Sequence, residues 1–156
     1  MNTDTLRTRY SLIHFAALGC EPDLTKTLDW DLDRLNREVQ KMKWVAQATI
    51  EQMDQEYWDM YKDTHGYRPR GISREGWTKF DYVNEFDSLA RTMHRQEDAA
   101  KKAAEDAITA GLSSGAKTRE QAIQWLHDAH ETQGDPDMLC YEFEVPYGYF
   151  GVKEIA

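Results

Sequence analysis

The sequence predicts an all-α fold: a long antiparallel helical hairpin, with shorter N- and C-terminal helices packed on it. Two observations lead to this prediction. Apolar residues recur at alternating spacings of three and four over most of residues 28–60, and again over residues 83–107. A short segment containing Gly and Pro, residues 66–71, separates the two stretches. Two long helices joined by so short a connection are expected to fold back on one another.

Length and composition indicate a single acidic globular domain. The chain has 156 residues, of which 40% are hydrophobic and 30% are charged, and its net charge is −9. We expect one domain over residues 1–156, with an N-terminal helix in 1–20, the hairpin in 25–110, and short helices with an aromatic tail in 118–150. A negative surface of this kind usually keeps a protein soluble, and it could also face a basic partner.

The sequence gives no indication of a membrane segment, a signal peptide or a disulfide framework. No run approaches the roughly 20 apolar residues that span a bilayer. The two cysteines, Cys20 and Cys140, lie far apart and outside any metal-binding spacing, so we interpret them as small apolar fillers. A reducing cytoplasm fits this cysteine usage best.

The first predicted helix runs from Asp4 to Leu18, with Thr3 as its N-cap. Gly19 is a suitable C-terminal stop, and Pro22 reinforces the break. One face carries four apolar side chains at spacings of three and four: Leu6, Tyr10, Ile13 and Ala17.

The second predicted helix is longer and runs from Thr27 to Lys62, with no Gly or Pro between them. Its apolar stripe resembles a coiled-coil seam. The stripe consists of Leu28, Leu32, Leu35, Val39, Met42, Ala46, Thr49, Met53 and Met60. Such a seam could pair with the second half of the hairpin or with another copy of the chain, so a homo-oligomer through the long helices is an alternative.

The connection between the long helices lies in residues 61–71, YKDTHGYRPRG, and is predicted to be a stiff corner. Gly66 can adopt the left-handed conformation that ends a helix. Pro69 has a restricted φ angle and favours an extended conformation at Arg68. We therefore expect a bend of defined shape rather than a flexible loop.

The corner also carries the candidate partner-binding residues. Residues 63–80 contain four basic and two acidic residues, a positive balance in an otherwise acidic chain. Arginine binds carboxylates and phosphates with a planar fork of donors. We expect Arg68 to brace the corner by pairing with Asp59 or Asp63. We expect Arg70 and Tyr67 to face outward.

The third predicted helix begins near Thr78, which forms a capping box with Asp81, and ends in a flexible linker over residues 111–115. Its stripe consists of Val83, Phe86, Ala90, Met93, Ala100, Ala104 and Ala107. The small residues towards its end allow another helix to approach closely.

Two short helices and an aromatic tail complete the chain. Thr118 with Gln121 forms a capping box for one helix, and Asp135 before Pro136 begins the other. The last helix should carry Met138, Leu139, Tyr141 and Phe143. The tail over residues 146–151 is predicted to lie extended on the body of the protein. If its aromatic side chains are exposed, they are further candidates for partner binding: Tyr147, Tyr149 and Phe150.

No motif in the sequence indicates catalysis, a cofactor or a metal. No P-loop, GxSxG or HExxH pattern occurs. His127 and His130 stand at i and i+3, but nothing in the sequence supplies the further ligands that zinc needs, so we interpret them as solvent-facing. We predict that the protein is not an enzyme, and that it binds neither a cofactor nor a metal.

Several motifs together resemble a family of small helical proteins encoded by tailed bacteriophages. They are YKDTHGYRPRG at 61–71, QAIQWL at 121–126, GDPDMLCY at 134–141 and PYGYF at 146–150. The resemblance covers residues 57–150. It implies a phage protein made in the cytoplasm of the bacterial host, and it brings no known catalytic residue.

We therefore expect a protein that acts by binding. The main hypothesis is a protein-binding factor that docks on a host defence complex, or another cellular complex, and inhibits it, without contact with the membrane. One alternative is an accessory factor for nucleic acid that uses Arg68 and Arg70 as phosphate contacts, although the net charge disfavours nucleic acid as a direct partner. The other alternative is a self-assembling structural protein.

Overall fold

A computed structural model describes residues 2–151, and its regular secondary structure is helical. The described residues contain six α-helices and one short 3-10 helix, and no strand occurs among them. The predicted all-α class is therefore confirmed. The elements are α1 Thr3–Leu18, the 3-10 helix Leu24–Thr27, α2 Leu32–Gln47, α3 Ile50–His65, α4 Lys79–Ser113, α5 Arg119–Ala129 and α6 Pro136–Glu142.

The described chain forms two compact units, with the boundary between Ala90 and Arg91. We call residues 2–90 unit 1 and residues 91–151 unit 2. The boundary lies inside α4, not in a linker. The prediction of one domain for the whole chain stays a prediction. No helix in residues 2–151 combines the length and the apolar character needed to cross a bilayer.

The first helix closely follows the prediction. Leu6 and Tyr10 are buried, and Gly19 ends α1 in the left-handed conformation with φ 72°. The N-cap differs, because the side chain of Asn2, not that of Thr3, accepts the backbone N–H of Thr5 at 2.9 Å. An asparagine side chain is one of the preferred N-caps, and its use adds one residue to the helix.

The predicted unbroken helix from Thr27 to Lys62 is wrong: Thr27 is the last residue of the 3-10 turn, and two separate helices, α2 and α3, follow it. Asp31 caps α2 by accepting the N–H of Arg34 at 2.7 Å. A second break follows α2, where Ala48 and Thr49 adopt extended conformations with ψ 143° and 165°.

The break at residues 48–49 is stabilised from both sides. Thr49 and Gln52 form a capping box: each side chain accepts the backbone N–H of the other residue, at 3.2 and 2.9 Å. The ammonium of Lys79 donates to the carbonyl oxygens of Val45 and Ala46 at 2.7 and 3.1 Å. These contacts satisfy backbone groups that an uninterrupted helix would have paired internally.

Unit 1 has an apolar core drawn from α1, α2, α3 and the beginning of α4. The core consists of Tyr10, Val39, Met42, Val45, Ala48, Met53, Tyr57, Tyr82, Val83, Phe86 and Leu89. Val39, Met42 and Met53 of the predicted seam are therefore internal, whereas Leu28, Leu32, Ala46 and Thr49 are exposed. Pairing of the long helices with a second copy stays a prediction.

Unit 2 has a separate core, with α4 and α5 in close contact. The core consists of Ala104, Ile108, Ala116, Ala122, Leu139, Cys140, Val145 and Phe150. Gly111 belongs to α4 and not to the predicted linker, because the helix continues to Ser113. A Cβ atom placed on Gly111 would lie 3.1 Å from the Cβ of Ala122. The glycine is therefore a point of close approach between the two helices.

The C-terminal helices begin as predicted. Thr118 caps α5, and Asp135 caps α6 with Pro136 in its first turn. The last helix carries Met138, Leu139 and Tyr141 as predicted, but it ends at Glu142, so Phe143 is its C-cap. Leu139 and Cys140 are buried, whereas Met138 and Tyr141 are exposed.

The tail after α6 is also not extended. Residues 147–150 form a turn, in which the N–H of Tyr149 donates to the carbonyl of Pro146 at 3.1 Å.

The two cysteines differ, since Cys140 is buried whereas Cys20 is exposed and therefore does not fill the core.

Candidate functional site

The corner after α3 begins at Gly66, as predicted. Gly66 ends α3 in the left-handed conformation with φ 77°, and its N–H donates to the carbonyl of Lys62 at 2.7 Å. Pro69 is buried. Across this proline, the N–H of Arg70 donates to the carbonyl of Arg68 at 2.8 Å. With Pro69 buried between them, the two arginine side chains are both exposed.

The exposed side of the corner is cationic. Lys62, Tyr67, Arg68 and Arg70, which we call the corner surface, line a depression of about 510 Å³ together with Gly66. All four side chains are exposed, Tyr67 by 62%. Within residues 2–151, none of the three cationic side chains takes part in an ion pair. Their charges are therefore directed to solvent or to a binding partner.

Aromatic rings support the position of Tyr67. Its ring lies 5.8 Å from that of Tyr61 and 6.0 Å from that of His65, and the Tyr61 and His65 rings are 4.3 Å apart. A hydrogen bond with Tyr67 raises the pKa of Tyr61. The three rings lie at the end of α3, so Tyr67 is positioned even though it is exposed.

Arg68 does not form the predicted brace. Among the described residues it pairs with neither Asp59 nor Asp63, and its guanidinium lies 5.8 Å from the ring of Trp58. Such a contact orients the guanidinium but leaves its donors accessible. The outward positions predicted for Tyr67 and Arg70 agree with the structure, and Arg68 joins them on the exposed side.

The brace is formed instead by Arg74, a residue that no sequence pattern singled out. Its guanidinium forms an ion pair with Asp54 of α3 and lies 5.4 and 5.1 Å from the rings of Tyr57 and Trp58. A second Arg74 nitrogen donates to the carbonyl of Ile72 at 3.0 Å. This side chain therefore ties the segment that follows the corner to α3.

Asp54 accepts from two elements at once, because the hydroxyl of Tyr82 in α4 also donates to it at 2.9 Å. Burial acts to raise the pKa of Asp54, but the hydrogen bonds from Arg74 and Tyr82 outweigh it and hold the pKa below its ordinary value. Burial, together with the hydrogen bond to Asp54, raises the pKa of Tyr82 to about 12. The carboxylate thus stays ionised and links α3, α4 and the segment between them at neutral pH.

The aromatic tail contributes one exposed candidate and not three. Tyr147 is 78% exposed. Phe150 is buried in the core of unit 2. The Tyr149 hydroxyl donates to the Glu105 carboxylate at 2.6 Å and lies 3.2 Å from the Lys101 carbonyl oxygen. The structure therefore gives Tyr149 and Phe150 a packing role. The corner residues belong to unit 1 and the tail to unit 2.

The two histidines do not form a metal site with other residues of the described chain. His127, predicted to face solvent, is buried, and its Nδ1 lies 2.6 Å from the hydroxyl of Thr132. Nδ1 of His130 lies 3.9 Å from a carboxylate oxygen of Glu142. Within residues 2–151, no group of three or more His, Cys, Asp or Glu side chains is arranged to hold a metal ion.

Comparison with known protein families, with curated proteins and with solved structures gave no match to this chain.

Proposed function

We propose that this protein is a non-enzymatic binding factor encoded by a tailed bacteriophage, and that it docks through the corner surface on a protein complex of the bacterial host and inhibits it. The observation that carries the proposal is the corner surface itself. Three cationic side chains without ion pairs in the described chain surround one depression beside an exposed tyrosine.

The chemistry of these side chains suits a protein partner. Arginine and tyrosine are among the residues that most often dominate the binding energy of an interface. Arg68 and Arg70 can each grip a carboxylate with two parallel hydrogen bonds. Tyr67 offers a large contact area and loses little side-chain entropy on binding, because it has only two rotatable bonds.

The position of the corner surface also favours binding. Burial of Pro69, the ring contacts of Tyr67 and the Arg74 brace hold the segment in a defined shape. A surface ordered before binding loses less entropy when the partner arrives, which strengthens association. The resemblance of residues 57–150 to the phage family supports the host cytoplasm as the place of action, and inhibition of the bound complex is part of the proposal.

A capture experiment with matched variants tests the proposal. Wild-type protein is immobilised and exposed to a bacterial lysate, and the retained proteins are identified by mass spectrometry. We expect a specific host complex to be retained by the wild type and lost with Arg68→Glu/Arg70→Glu. Arg9→Glu/Arg37→Glu is the control, because it makes the same change in net charge at two exposed arginines of unit 1.

The two variants separate the possible outcomes. Retention of the same complex by the Arg68→Glu/Arg70→Glu variant, or equal loss with the control, would show that the corner surface is not the docking site. The activity of the captured complex is then measured with and without added protein. Unchanged activity at saturating protein would refute inhibition.

Accessory binding to nucleic acid is the second candidate, and the exposure of Arg68 and Arg70 favours it, because their guanidinium groups are free to contact phosphates. The net charge of −9 counts against it. If the candidate is correct, the protein retards DNA or RNA in a gel at low salt, and Arg68→Ala/Arg70→Ala weakens that retardation. No retardation at low salt would eliminate it.

A further inference from the structure

Unit 2 exposes a second aromatic surface that the proposed function does not use. Tyr141 at the end of α6 and Tyr147 in the tail are 71% and 78% exposed. Both line one depression of about 420 Å³, together with Cys140, Glu142, Glu144 and Val145. We call Tyr141, Glu142, Glu144 and Tyr147 the tyrosine surface.

The floor of this depression is firmly packed. Cys140 and Val145 are buried in the core of unit 2, and the N–H of Val145 donates to the carbonyl of Cys140 at 3.0 Å. The N–H of Glu144 donates to the carbonyl of Tyr141 at 3.1 Å. Since backbone hydrogen bonds hold both sides of the turn, the residues next to it keep a defined position.

The tail that carries Tyr147 is anchored equally well. On its far side, Phe150 is buried and Tyr149 hydrogen-bonds to Glu105. Tyr147 itself contributes little to this packing, because most of its surface faces solvent. Two exposed tyrosines on an ordered backbone match the properties of binding residues, which provide contact area at a low entropic cost.

The charge of the surroundings indicates what kind of partner fits. The sequence between Arg119 and Lys153 contains no lysine or arginine, but it contains seven acidic residues. Glu142 and Glu144 are exposed beside the tyrosines. Within the described chain Glu144 has no ion-pair partner, and Glu142 has only His130 at 3.9 Å. Among the described residues that line the depression there is no lysine or arginine, so a cationic ligand there would meet carboxylates without a competing cation.

We propose that the tyrosine surface binds an arginine-bearing segment of a partner protein. A guanidinium group stacks on the face of an exposed tyrosine and donates to Glu142 or Glu144, a combination that lysine reproduces less well because its ammonium is not planar. This inference goes beyond the proposed function, since it concerns unit 2, a different surface and a partner of opposite charge.

Fluorescence anisotropy with the full chain tests the inference. The probe is a fluorescently labelled peptide of alternating glycine and arginine, and the comparison probe has lysine in place of arginine. We expect the wild type to bind the arginine peptide several-fold more tightly than the lysine peptide. Tyr141→Ala/Tyr147→Ala and Glu142→Gln/Glu144→Gln should each weaken binding about tenfold, which corresponds to about 1.4 kcal/mol.

The control is Asp29→Asn/Glu56→Gln, which removes two exposed carboxylates of unit 1 and changes the net charge by the same amount as Glu142→Gln/Glu144→Gln. We expect less than about a twofold change, because separated exposed charges are strongly screened at physiological salt. An equal loss in the control, equal affinity for the two peptides, or no effect of the tyrosine substitutions would overturn the inference. Circular dichroism confirms that each variant is folded.

Discussion

Arg74 and Asp54 form an ion pair between the segment after the corner and α3. The same carboxylate accepts a hydrogen bond from Tyr82, and the guanidinium of Arg74 lies against the rings of Tyr57 and Trp58. The side chain of Arg74 is only 14% exposed, so the ion pair with Asp54 offsets the cost of burying its charge. The shape of the corner surface therefore rests on a contact outside the corner itself.

We predict that Arg74→Ala destabilises the protein by about 1–3 kcal/mol, because it leaves Asp54 without its charged partner and removes a stacked side chain. Urea denaturation followed by circular dichroism measures the change. Lys102→Ala is the control: the pair of Lys102 with Asp106 is 74% and 66% exposed, so its loss should cost almost nothing. Similar losses for the two variants would contradict the brace.

Thr49→Ala should destabilise the protein by about 1 kcal/mol, because it removes the acceptor for the N–H of Gln52 at the start of α3. The same denaturation measurement applies. Thr8→Ala is the matched control, since Thr8 is an exposed residue inside α1, where alanine has the better helix propensity. A Thr49→Ala variant as stable as the wild type would mean that the capping box does not hold the break.

The break between α2 and α3 shows how a strong pattern can conceal a local signal. Apolar residues continue at helical spacing on both sides of the break, from Met42 to Met53, and this predicted one helix. The Thr49-x-x-Gln52 capping box was present in the sequence and indicated a helix start. It was missed because two residues in extended conformation redirect the chain while the apolar side chains on both sides still reach the same core.

The corner illustrates a different limit. Gly66 has a strong local preference, and it ends α3 in the left-handed conformation that was predicted for it. The role of Arg74 could not be predicted from the sequence, because Asp54 lies 20 residues away and the two meet only through tertiary packing. The inward positions of Tyr149 and Phe150 could not be predicted either, because tertiary packing decides which of several neighbouring aromatic side chains reaches the core.

Gly111→Val should destabilise the protein by about 1–3 kcal/mol, because the added side chain would collide with Ala122 of α5. Ala110→Val is the control. Ala110 is the neighbouring residue in α4 and is exposed, so this substitution measures only the lower helix propensity of valine. Thermal or urea denaturation compares the two variants. If Gly111→Val cost no more than Ala110→Val, the close approach of α4 and α5 would be refuted.

The stability of unit 2 should depend on pH through Glu105. Arg119 donates two hydrogen bonds to this carboxylate, at 2.7 and 2.6 Å, and Tyr149 donates a third at 2.6 Å. The bonds from Arg119 and then Tyr149 lower the pKa of Glu105 from 4.5 to about 2. Because the pKa is lower in the folded state, the stabilisation is complete above pH 4.5 and is lost as the pH falls towards 2.

Glu105→Gln tests this dependence, because glutamine keeps the shape of the side chain but does not titrate. Above the ordinary pKa of the carboxyl the variant should be less stable than the wild type, and the difference should shrink as the pH approaches 2. Urea midpoints at a series of pH values measure it. Glu56→Gln is the control, as this exposed carboxylate has no ion pair in the described chain, so its difference from the wild type should stay constant. An ionised carboxylate held by Arg119 loses this stabilisation when it is protonated. A Glu105→Gln difference that also stays constant would therefore show that the hydrogen bonds to Glu105 do not stabilise the fold.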